Sequence, residues 1–184
     1  VVQYIIAGAI TGKNPFKALR NMMPAYFTAL GTSSSAATIP ISVESTLKNG
    51  ISRPVANFVI PLCATIHLSG SMIKLTLYAF AIVYMANLDI STSTGLGFIF
   101  LLGIMMIAAP GVPGGAVMVA AGLLADMMGF DDGMVALMIA AYIAIDSVGT
   151  AANVTGDGAI AMILDKFVGN REDATKEELT DPTA

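Results

Sequence analysis

Three apolar stretches constrain this chain more than anything else in it: Val55–Leu88, Leu96–Met128 and Met134–Val168. Each is longer than the roughly 20 residues that carry a helix across a bilayer. Each also holds, near its middle, residues that a simple membrane helix does not accept freely. In the first these are His67, Ser69, Gly70, Ser71 and Lys74. In the second the run Pro110-Gly111-Val112-Pro113-Gly114-Gly115 stops any helix, because proline removes a backbone donor and glycine favours disorder. In the third, Asp146 and Asp157 are embedded in apolar sequence. The chain as a whole is 55% hydrophobic and 12% charged. That balance excludes a disordered protein, a nucleic-acid binder and an ordinary cytosolic enzyme.

The opening run VVQYIIAGAI is too short to span, so residues 1–23 read as the end of a preceding transmembrane helix and a cytoplasmic loop, within a longer membrane protein. Residues 24–47 form two short apolar pieces around Gly31-Thr32-Ser33-Ser34-Ser35, flanked by Pro24 and Pro40. Neither piece crosses alone. Eight of the nine cations lie in 13–20, 48–53 and 166–176, whereas the turns at 89–95 and 129–133 carry only acids. The excess of cations marks the cytoplasmic side. The expected threading is a re-entrant hairpin at 24–47 from the cytoplasm, a span at 55–88, a second hairpin at 96–128 from outside, and a last span at 134–168. The tail 169–184 reads as disordered and cytoplasmic, its acids outnumbering its cations five to two. The fold class is therefore an all-α membrane protein: two re-entrant hairpins and two interrupted transmembrane helices in an inverted repeat.

Asp146, Thr150, Asn153 and Asp157 stand at offsets 0, 4, 7 and 11, one polar stripe on a helix. Buried carboxylates are costly unless an ammonium, a metal cation or water compensates them. An aspartyl protease needs two carboxyl groups in near contact. These two are about 16 Å apart at 1.5 Å per residue, so they form no such dyad. His67, Ser71 and Lys74, at offsets 0, 4 and 7, share a second helical face. Lys74 is too deep to reach the interface, so it must pair with a carboxylate or stay neutral. Cys63 is the only cysteine, which excludes an intrachain disulfide and a Cys/His zinc motif. No repeated charge ring or selectivity-filter sequence suggests a channel.

Taken in order, TSSSAATIP (32–40), CATIHLSGS (63–71), PGVPGG (110–115) and ANVTGDG (152–158) resemble the dicarboxylate/amino-acid:cation symporter family. The family includes prokaryotic aspartate, glutamate and serine/threonine transporters and the excitatory amino-acid transporters. The resemblance implies substrate binding by Ser34, Ser35, Ser71, Val112, Gly114, Asp146, Thr150 and Asn153, with Asp146 gripping the substrate amino group. It implies one sodium site at Asp157 with carbonyls of Asn153, Cys63 and His67, and a second at carbonyls of Thr65, Met106, Ile107 and Ala109. It further implies a homotrimer of the full-length protein in the cell membrane, sodium as the coupled ion and no organic cofactor.

Two departures shape the expected chemistry. Members that take acidic substrates carry an arginine where this chain has Gly149, or in the first hairpin where it has Ser33. A second substrate carboxylate would then lack a partner, which favours a neutral amino acid or related small carboxylate. The usual Asn-Met-Asp-Gly-Thr stretch is here His67-Leu68-Ser69-Gly70-Ser71, so one sodium-binding carboxylate is missing. Lys74 becomes a candidate substitute for that cation, placed beside Asp157. The expected function is cation-coupled symport by alternating access and not enzymatic catalysis. The alternatives are proton coupling through Lys74 or His67, and a divergent subunit that binds or senses without transporting. Small solutes and membrane lipid are the expected partners; nucleic acid is not.

Overall fold

The computed structural model describes residues 1–180, with side chains to residue 168. All regular structure in this range is helical. Local sequence accounts for most helix ends. After α1 (Val2–Thr11), Asn14 caps α2 (Pro15–Asn21) by accepting from the amides of Phe16 and Lys17, both at 3.0 Å. Helix α3 (Met23–Thr32) begins with Pro24 in its first turn, where proline's missing N–H is no loss. The Ser34 hydroxyl caps α4 (Ser35–Leu47) by accepting from Ala37 N at 3.2 Å. Helices α5 (Arg53–Ile66) and α6 (Ser69–Met85) follow. Ser91 caps α7 (Thr92–Met105), which tightens into a 3₁₀ turn at Met106–Ala108 before α8 (Gly115–Met128). Asp131 caps α9 (Asp132–Ala144), and α10 (Asp146–Thr180) completes the order.

Arg53–Met85 is long and apolar enough to cross a membrane, and Asp132–Ala144 with Asp146–Val168 passes the same test as a pair bent by 62°. The bend at Ile145 has no proline or glycine beside it, and nothing in the composition announces it. Between the helices of each long pair, and at the tips of α3–α4 and α7–α8, the backbone leaves helical geometry. Those tips meet: Gly111 O accepts from Ser34 Oγ at 3.0 Å and from Ala36 N at 3.2 Å.

The buried apolar residues fall into two clusters. One joins α1–α5 to the middle of α10 through Met22, Ile60, Val154 and Met162. The other joins α6–α9 through Leu75, Phe98, Leu124 and Tyr142. Large apolar side chains such as Phe58, Ile73, Leu77, Phe100 and Met118 stay exposed, a surface that suits lipid better than water. At one end of the bundle, Lys13 Nζ donates to the carbonyls of Asn49 (3.0 Å) and Gly50 (2.9 Å), and Lys166 Nζ to Ile10 O. Asp165 there accepts from Ser52 N at 2.9 Å.

The backbone of α10 continues through residues 169–180, where composition suggests a disordered end. The sequence there includes Arg171, Glu172, Lys176, Glu177, Glu178 and Leu179, which favour a helix, and it follows a helix already nucleated upstream. Residues 181–184 of that expected tail lie outside the described residues.

Candidate functional site

The two polar stripes face each other. Helix α6 and the break before it pack on α10 so that three polar pairs form: Lys74 with Asp146, Ser71 with Asn153, and His67, in the break between α5 and α6, with Asp157. Thr150 instead donates to Asp146 O in its own helix. Close approach is possible because Gly70 carries no side chain. A Cβ there would lie 2.6 Å from Gly149 O and 2.7 Å from the Ala152 Cβ.

At the centre of the ladder, Asn153 supplies a cap that α6 lacks in its own sequence. No side chain caps α6 at Leu68. Instead Asn153 Oδ1 accepts from Gly70 N (2.7 Å) and Ser71 N (3.2 Å), two of the donors that a helix start leaves unpaired. Asn153 Nδ2 donates to Ser71 Oγ at 2.9 Å.

Near the α9–α10 break, Lys74 Nζ donates to Asp146 Oδ1 at 3.1 Å, Tyr142 O at 3.2 Å and Ile145 O at 3.3 Å. The break frees the last carbonyls of α9, and the ammonium answers them as it answers the carboxylate. The Tyr142 ring lies 3.5 Å from Nζ, close enough for cation–π attraction. Asp146 Oδ2 accepts from Gly114 N at 2.7 Å, which ties the tip of α7–α8 to the start of α10. Both side chains of the ion pair are nearly inaccessible.

Lys74 does not stand beside Asp157, as the cation-substitute expectation had it. Asp157 lies three turns further along α10, about 16 Å from Asp146. Its partner is His67, whose Nδ1 is 2.8 Å from Asp157 Oδ1. With Nδ1–H donated to the carboxylate, Nε2 is left to accept from Gln3 Nε2 at 2.9 Å. Gln3 also reaches Ser69 Oγ at 3.4 Å.

Ser35, Ser71, Val112, Asp146, Thr150 and Asn153 line one space between the two tips and the ladder. Its volume is about 10 Å³, room for a single water. Ser34 and Gly114 join the same place through their hydrogen bonds to Gly111 O and Asp146 Oδ2. All eight residues named for substrate therefore converge, and a solute of amino-acid size enters only if the tips part.

The residues named for cations are arranged less uniformly. Cys63 is buried, and its carbonyl accepts from His67 N at 2.9 Å. The Thr65 hydroxyl turns back onto Leu62 O at 2.8 Å. Met106 and Ile107 lie in the 3₁₀ turn that packs against α5, with Ala109 just beyond it. Among the described residues no three His, Cys, Asp or Glu side chains cluster as a metal centre would require. The donors available to a cation here are carbonyl and carboxylate oxygens, which suit a hard ion.

Two participants escape the sequence reading. Tyr142 lies one turn before Asp146 and extends its stripe by the same offset of four, a signal available in the sequence. Gln3 is the one strongly polar side chain in the opening apolar run, yet nothing local tells that it reaches His67.

The model of the "Sodium:dicarboxylate symporter family" matches residues 1–167. Neutral amino acid transporter B(0) of Mus musculus is 30% identical over 179 residues, covering 94% of this chain and 30% of the relative. Excitatory amino acid transporter 1 of Ambystoma tigrinum is 31% identical over 166 residues, covering 90% of this chain and 30% of the relative. Neutral amino acid transporter A of Homo sapiens is 28% identical over 165 residues, covering 89% and 31%. The chain thus spans about 30% of the length of these relatives.

Proposed function

Because the chain belongs to the sodium:dicarboxylate symporter family, we propose that it forms the solute-carrying core of a secondary active transporter. The transported solute is a small amino acid or related carboxylate, coupled to a cation and moved by alternating access. Sodium is cargo carried with the solute, not a resident cofactor. In this reading α3–α4 and α7–α8 are hairpins that dip into the membrane from opposite faces. The α5–α6 and α9–α10 pairs are the two broken spans, and the whole is an inverted repeat. The full-length protein is a multi-pass trimer in the cell membrane, with the C-terminus of α10 in the cytoplasm.

One observation carries the reading: two buried carboxylates share a face of α10, and the tips of both hairpins close over the one at Asp146. Irregular backbone from four elements at one depth is tolerated where it lines a polar cavity. The kinship with neutral and excitatory amino acid transporters supports a solute of that size. With neither Ser33 nor Gly149 supplying a cation, a solute with a second carboxylate is disfavoured.

Reconstitution of the full-length protein in liposomes tests this. Labelled solute should accumulate under an inward sodium gradient, and Asp146→Asn and Asp157→Asn should each lower the initial rate at least tenfold. Accumulation driven equally well by a proton gradient without sodium would replace the coupling ion. No accumulation under either gradient, with unchanged solute binding in both variants, would remove the transport reading.

A further inference from the structure

If the space between the tips is the solute site, Asp146 is its only carboxylate among the lining residues, and a carboxylate there would ordinarily receive the solute's ammonium. That place is already taken. Lys74 directs three N–H donors at three acceptors, Asp146 Oδ1, Tyr142 O and Ile145 O. The other carboxylate oxygen is held by Gly114 N. The pair is neutral as a unit, and an arriving ammonium would have to displace one fixed cation while lying against it.

Gly149 gives the arrangement room. A Cβ at that position would stand 3.3 Å from Lys74 Nζ and 3.4 Å from its Cε, so the lysine end would have to shift by a few tenths of an ångström. The bare position on α10 and the lysine on α6 therefore belong together. The groups that remain around the space are neutral: the hydroxyls of Ser35, Ser71 and Thr150 and the amide of Asn153.

We infer that Lys74 fills, from within the chain, the ammonium subsite of Asp146, so that the solute is a small carboxylate without an α-amino group. The inference rests on the transport reading above and narrows its substrate class.

Matched pairs that differ only in the amino group test it on the full-length, unmodified protein in liposomes: alanine against propanoate and lactate, and aspartate against succinate. The expected result is uptake of the amine-free member of a pair, with its amino-acid counterpart at least tenfold weaker as a competitor. Equal or better uptake of the amino acid in each transported pair overturns the inference and leaves the transport reading standing. If no member of any pair is taken up or stabilises the protein, and Asp146→Asn changes nothing, both fall. Lys74→Met adds a second readout. Removing the internal ammonium should shift preference at least tenfold toward the amino acid, and an unshifted preference would contradict the assignment. The paired uptake on the unmodified protein decides the matter even where that variant does not fold.

Discussion

The two ends of the α6–α10 ladder solve one problem in different ways. Each buries a carboxylate on α10, yet Asp146 is answered by a lysine on α6 and Asp157 by a histidine in the break between α5 and α6. The lysine is saturated by three acceptors, lies under an aromatic ring and keeps 8% of its side-chain surface accessible. The histidine keeps 16% and shares its second nitrogen with Gln3 from α1. The first end is therefore a closed unit that fixes the α9–α10 break and a hairpin tip together. The second is looser, with one partner drawn from a helix outside the ladder. A buried charge is tolerable in both places; the Asp157 side chain is as deeply buried as that of Asp146, and the ends differ in how exposed the answering group is.

The sharpest way to break this contrast is to remove one charge from the closed end. Lys74→Met should destabilise the full-length protein by about 3–5 kcal/mol, because it leaves Asp146 buried without its cation. Combining it with Asp146→Asn should recover most of that loss, and denaturant unfolding of the two singles and the double measures the coupling. Next comes the spacing between the helices. Gly70→Ala forces a methyl group against Gly149 O and Ala152, and should cost about 1–3 kcal/mol by the same measurement. At the looser end, His67→Ala should cost about 1–2 kcal/mol, less than Lys74→Met, since His67 is the more exposed of the two answering groups. A loss as large as that of Lys74→Met would show that the two ends are equally closed.

These contrasts also show what the sequence reveals and what it conceals. The stripe 146-150-153-157 is legible in the spacing, as is the pairing of Ser71 with Lys74 on α6, because helical periodicity places each set on one face. His67 is not part of that face, since the backbone leaves the helix at residues 67–68. The hairpin tips are legible too: PGVPGG cannot be helical, and Ser34 is a strong capping residue. The register between the stripes is not legible. It depends on the antiparallel approach at Gly70 and on a bend at Ile145 that no glycine or proline marks, and so the partner of Lys74 is misread from sequence. The mate of His67 on α1 is hidden for the same reason, since Gln3 is remote in the chain and its neighbours carry no pattern.

Two smaller effects refine the comparison. Gly149→Ala should cost about 1 kcal/mol or less in stability, because the flexible lysine can give by a few tenths of an ångström. It should still weaken the Lys74–Asp146 coupling in a double-mutant cycle, whereas the His67–Asp157 coupling should not change. Ser33 holds φ 51, a left-handed conformation that favours glycine. Ser33→Gly should therefore raise stability by a few tenths of a kcal/mol at most, the relieved strain being partly offset by a more flexible unfolded chain. Thermal unfolding against the parent protein is sensitive enough to see the sign.

The central claim is that a solute is enclosed where the two hairpin tips meet above the α10 stripe, and that the tips must separate to admit it. Ser35 and Val112 line that space from opposite tips, and Cys63, the one cysteine in these 184 residues, is buried. Linking Ser35→Cys to Val112→Cys with a short thiol cross-linker in the full-length protein tests the claim directly. The account predicts efficient linkage without solute, abolished uptake while the link is intact, and recovery when a cleavable link is reduced. Undiminished uptake by the fully linked protein would contradict it.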